Sequence, residues 1–127
     1  VSIAEPSFVV HTDGKVSIGE VSTNTPNYDY KLYVEGGILT EKVRVALKNT
    51  SQWSDHVFAP GYRLLGLADL NGYIQDNGHL PGVPSAECMV EEGVDVAKMN
   101  ALLLEKIEEL SLHVIALNRR LVELESK

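Results

Sequence analysis

Four histidines, one cysteine and two short acidic loops are the residues of this chain with the chemistry to hold a metal ion. His11, His56, His79 and His113 share no spacing that would close a site within one chain. A symmetric assembly would multiply each histidine around its axis, but His113 falls beside the apolar seam of the C-terminal helix rather than in it. His79 is expected to bond backbone within its proline-rich loop. Asp13-Gly14 and Asp69-x-Asn71-Gly72 resemble pieces of calcium loops but lack the remaining ligands and the closing Glu, so turn chemistry accounts for both. Cys88 stands alone, which excludes an intrachain disulfide and a Cys-clustered metal site. The glycines form neither G-x-G-x-x-G nor a phosphate loop. The Glu residues between 105 and 109 read as a solvated helix face, so no paired-carboxylate cleft is expected. Trp53 and the tyrosines have the chemistry of a sugar-binding surface. Trp53 sits among apolar residues and is assigned to a core, leaving Tyr28, Tyr30 and Tyr33 as the surface candidates. No cofactor and no metal is expected.

The elements that must position these residues are unevenly provisioned. The chain has 127 residues and a formal charge of −7, which argues against nucleic acid or an anionic membrane as partner. No apolar run approaches the ~20 residues of a membrane span. The chain begins at Val1 without a signal peptide and is expected to be a fragment or a processed form. Phe8-Val9-Val10, a turn at Asp13-Gly14 and the alternating Lys15-Val16-Ser17-Ile18-Gly19 predict a hairpin. Lys31 to Glu35 predicts another short strand, stopped by Gly36-Gly37. Ile38 to Lys48 is the clearest strand, with Val43, Val45 and Leu47 on one face. Such strands are too few and too poor in large apolar residues to close a private core.

Residues 51–93 differ. Trp53, Val57, Phe58, Tyr62, Leu64, Leu67, Leu70 and Ile74 are the expected core of a compact tip. Leu67 to Asn77 reads as a helix stopped by Gly78, and Ser85 to Glu92 as a short helix ended by Gly93. Asp95 is placed to cap a long C-terminal helix. From about Val94 to Lys127 apolar residues recur with a seven-residue beat. Val96, Leu103, Leu110, Leu117 and Leu124 alternate with Asn100, Ile107, Val114 and Leu121. Such a stripe is most economically buried against copies of itself. Ile and Val alternating with Leu suit a parallel dimer, and Asn100 would fix register. Leu102, Leu104, Leu112 and Ile115 lie off the seam, so the first half of the helix is also expected to pack on the tip.

In order along the chain, Val16-Ser17-Ile18-Gly19, Tyr30 to Ile38, Trp53-Ser54-Asp55-His56-Val57-Phe58, His79-Leu80-Pro81-Gly82-Val83-Pro84-Ser85-Ala86 and Leu103 to Leu110 resemble the C-terminal region of bacterial and phage tail-fibre-like proteins. The resemblance covers nearly the whole chain. It implies a homotrimeric fibre ending, with kinship to the intramolecular chaperone (peptidase S74-like) domains that end many phage fibres. Those often cut themselves at a Ser-Asp junction, where the serine attacks the peptide bond before itself. Ser54-Asp55 is the matching pair. The match is partial, because His56-Val57-Phe58-Ala59-Pro60 stands where the chaperones carry Arg-Leu-Lys. His56 as a base would point away from Ser54 if the segment were a strand.

These observations lead to an α+β expectation. Residues 1–50 form a β shaft whose short strands are shared between chains of a trimer. Residues 51–93 form the tip, and 94–127 a coiled-coil helix. The expected function is structural: trimerisation, register and capping of an extracellular fibre, on a phage-like tail or a bacterial surface. Its partner is itself, with no nucleic acid and no membrane insertion. Self-cleavage at Ser54-Asp55 and a tip that binds a cell-surface receptor or glycan are the alternatives.

Overall fold

The computed structural model describes residues 7–26 and 29–127. The fold is α+β, and the chain divides into two compact units, Val1–Arg44 and Val45–Lys127.

The first unit holds a three-stranded sheet of order β1-β2-β3, made of Phe8–Val10, Val16–Ile18 and Leu32–Val34. The hairpin forms as the sequence indicates, with Val10 opposite Val16 and Phe8 opposite Ile18. Gly14 has φ 82° and donates to the His11 carbonyl, while the Lys15 amide donates to Asp13 Oδ1. Glycine makes that left-handed step without steric cost. β3 pairs in parallel with β2, Ser17 opposite Tyr33. The central residues of β2 and β3 turn inward: Ser17 and Tyr33 are buried while their neighbours are half-buried or exposed. The Thr25 hydroxyl lies 3.0 Å from the Tyr33 phenol, and His11 Nε2 lies 2.9 Å from Ser17 Oγ. Tyr33 is therefore not the surface tyrosine expected of it. Tyr30 is half exposed and packs edge-on against Tyr33, and Tyr28 lies outside the described residues.

The expected strand from Ile38 to Lys48 does not form in the single chain. Its alternation is real, but a strand requires a hydrogen-bonded neighbour, and no described strand pairs with it. Ile38, Leu39, Val43 and Val45 are exposed as a result.

The second unit contains α1 (Leu67–Asn77), α2 (Ala86–Glu92) and α3 (Val96–Glu125). Their ends obey local chemistry. Gly78, at φ 73°, donates to the Ile74 carbonyl and stops α1. The Ser85 hydroxyl accepts the Cys88 amide at the start of α2, and Asp95 Oδ1 accepts the Lys98 amide at the start of α3. Single 3-10 turns occupy Thr50–Gln52 and His56–Phe58.

The expected tip core is not closed within one chain. Val57 is 2% exposed, and Tyr62, Leu64 and Leu70 are half-buried. Trp53, Phe58, Leu67 and Ile74 stay open to solvent, with Phe58 at 59%. The described elements offer too little surface to cover them: Tyr33 and Val57 are the buried apolar side chains among the described residues.

Candidate functional site

The polar groups of the second unit converge where the segment 54–62 crosses α3. Helical spacing puts Glu105, Glu108 and Glu109 on one arc of α3, along with Leu102 and Leu112 and away from the apolar seam. The facing segment is folded by short local bonds. The Ala59 amide donates to the His56 carbonyl, and the Tyr62 amide to the Ala59 carbonyl. Gly61, at φ 83°, makes the left-handed turn between them.

This compact path lays three donors over three carboxylates. Ser54 Oγ donates to Glu108 Oε2 at 3.0 Å, with Ser54 3% and Glu108 7% exposed. His56 Nε2 meets Glu105 Oε2 at 3.0 Å, and the Tyr62 hydroxyl donates to Glu109 Oε1. Lys106 Nζ bridges the outer pair, 2.9 Å from Glu105 Oε1 and 2.9 Å from Glu109 Oε2. The rings of His56 and Tyr62 pack with centroids 5.8 Å apart. A groove of about 180 Å³ runs beside the cluster, between Trp53, Ser54 and His56 on one side and Ala101, Leu102 and Glu105 on the other.

The cluster's electrostatics follow from these bonds. The hydrogen bond to Glu109, then burial and the surrounding carboxylates, push the Tyr62 phenol far above its ordinary value. Burial works against ionisation of Glu109, but the hydrogen bonds from Tyr62 and Lys106 outweigh it and hold the carboxyl below its usual range. Lys106 likewise loses solvation, and its bonds to Glu109 and Glu105 more than compensate, raising its ammonium pKa.

The reading of Glu105–Glu109 as a solvated face is thus corrected. Glu108 is buried, and Glu105 and Glu109 are half-buried beneath the segment from the tip. Nor is His56 on a strand; it opens a 3-10 turn and pairs with Glu105 rather than with Ser54. The signal that could have revealed the row was present. Leu102, Leu104 and Leu112 lie off the seam and are half-buried, which marks a second covered face of the helix.

The other candidates separate from this cluster. His79 Nδ1 bonds the Leu80 carbonyl at 3.0 Å and its ring packs edge-on against Tyr73, as its proline-rich loop suggested. No group of three or more His, Cys, Asp or Glu able to hold a metal ion occurs among the described residues. No helix among them is long and apolar enough to cross a membrane. All nine seam positions of α3, from Val96 through Asn100, Leu103, Ile107, Leu110, Val114, Leu117 and Leu121 to Leu124, are exposed in the single chain.

Chemically, the Ser54–Glu108 contact joins a hydroxyl to a buried carboxylate able to accept its proton. Lys106 is held by Glu105 and Glu109 instead. The three contacts together fasten residues 54–62 to the helix. No family model, curated protein or solved structure matches the chain.

Proposed function

We propose that this chain is the distal end of a homotrimeric, fibre-like protein of a phage-like tail or bacterial surface. In this reading α3 joins its copies, sets their register and caps the fibre. The observation that carries it is the exposed seam: a regular apolar stripe along the 30 residues of α3, left uncovered by the described residues of its own chain. Burying one such aliphatic side chain is worth about 1.5–3 kcal/mol, so an uncovered row of eight is a strong drive to self-association. The unpaired Ile38–Lys48 segment supports the same reading, because strand partners from other copies would use its alternation. The number three rests on the resemblance to fibre endings. Light scattering on the purified chain tests the reading: a trimer at micromolar concentration is expected, and a monomer overturns it.

The buried Ser54–Glu108 contact favours a second reading, self-cleavage. Ser54 Oγ would attack the Trp53 carbonyl carbon, and its proton would pass through Glu108 to the departing Ser54 nitrogen. The Trp53–Ser54 amide would give way to an ester, which water then hydrolyses, leaving a carboxylate on Trp53 and a free amine on Ser54. Mass spectrometry after long incubation decides: a fragment beginning at Ser54, abolished by Ser54→Ala, establishes this reading, and an intact chain removes it.

A further inference from the structure

We propose that copies of α3 associate in parallel and in register through a salt bridge from Arg120 of one chain to Glu125 of its neighbour. This rests on the bundle proposed above and specifies its orientation.

The seam fixes the positions that flank it. Lys106, His113 and Arg120 each lie just before a seam residue, at Ile107, Val114 and Leu121. In a parallel bundle such a residue meets the one five positions later on the adjacent helix. The matches are Lys106 with Ser111, His113 with Asn118 and Arg120 with Glu125. Only the last joins opposite fixed charges. Lys106 is already engaged within its own chain by Glu105 and Glu109. Arg120 and Glu125 are exposed, and no ion pair among the described residues uses either.

Antiparallel packing gives no such match. Flanking residues of like position then face each other. Full overlap of Val96–Glu125 sets Arg120 against Met99 or Lys106, and Glu125 against Ala97. Charge thus discriminates between the two directions, as flanking residues do in helical bundles generally.

Glu125 also stands at the C-terminal end of α3, where the helix dipole disfavours a carboxylate and favours a cation. Glu125→Arg should therefore strengthen the isolated helix. Any loss of association in that variant must come from between chains.

The test uses the whole chain in four forms: wild type, Arg120→Glu, Glu125→Arg and the double exchange. Sedimentation equilibrium gives the association constant at low salt and near 1 M NaCl. Each single variant juxtaposes like charges at every interface and is expected to weaken association about tenfold at low salt. The double variant restores opposite charges and should return to within about threefold of wild type, and high salt should shrink the differences. A wild type that associates while neither single variant weakens it, or while the double fails to recover, overturns the Arg120–Glu125 pair and leaves the bundle standing. A wild type that stays monomeric overturns the bundle and the pair together. Recovery in a dimer rather than a trimer supports the pair and corrects only the copy number.

Discussion

Removing the Ser54 hydroxyl isolates the contribution of the buried clasp. In Ser54→Ala, Glu108 keeps its 7% exposure but loses the donor 3.0 Å away. A hydrogen bond to a charged group contributes about 1.5–3 kcal/mol, and a buried carboxylate stripped of its donor bears its desolvation without compensation. A loss of about 2 kcal/mol is expected. Glu108→Gln retains an acceptor for the serine and should cost less, about 1 kcal/mol. The informative variant is Ser54→Ala with Glu108→Met. It removes both partners, leaves no polar group stranded, and should be more stable than Ser54→Ala alone. Urea unfolding followed through Trp53, the only tryptophan and the residue before Ser54, reads all four proteins. Protomer concentration must be held constant, because association would add to apparent stability. If Ser54→Ala costs less than about 0.5 kcal/mol, or if the double variant is no more stable than Ser54→Ala alone, the contact does not hold the segment to the helix.

Leu110→Asp sets a carboxylate in the seam and should abolish association, whereas Leu112→Asp, off the seam and half-buried within its own chain, should lower the stability of the single chain and spare the assembly; light scattering separates the effects on association. Glu109 has a depressed folded pKa, so its contribution is complete above the ordinary value of 4.5 and is lost as pH falls through the lower folded value; Trp53 emission should shift in that window, and Glu109→Gln should remove the pH dependence. Tyr62 has a raised pKa, so its contribution is complete below 10.0 and is lost as pH rises toward the folded value; absorbance at alkaline pH should show one of the five tyrosines ionising last, and Tyr62→Phe should abolish that step. Gly19→Ala forces a side chain into φ 90° with its Cβ 2.7 Å from Glu35 Cβ and should cost about 1–3 kcal/mol in thermal unfolding.

Local chemistry was the most legible part of the sequence. Gly78, Ser85, Gly93 and Asp95 mark helix ends because caps act over three or four residues, and Asp13-Gly14 marks a hairpin for the same reason. Ile38–Lys48 misled because alternation records which faces a strand would have, not whether a neighbour exists to bond it. Tyr33 misled because what encloses it is distant in sequence: Thr25 meets its phenol, and β2 lies alongside it in the sheet. The carboxylate row was hidden by a compositional habit: Glu on a helix usually faces water. Here Ser54 and Glu108 lie 54 positions apart, and no local pattern announces that they meet.

Beyond His113 every residue of α3 is exposed, so the last stretch of the helix, Val114–Glu125, runs about 18 Å without cover from the described residues of its own chain. An uncovered helix end is free to fray, because in proteins most helical stability comes from packing of an amphipathic face. Its winding therefore depends on whatever covers it, and the fraction of ordered backbone becomes a function of how many chains share the solution. Arg119-Arg120 sits within this stretch and offers trypsin a cut that only an ordered helix resists. Dilution should expose that cut and crowding of copies should close it, which would let the tail report the chain's own abundance.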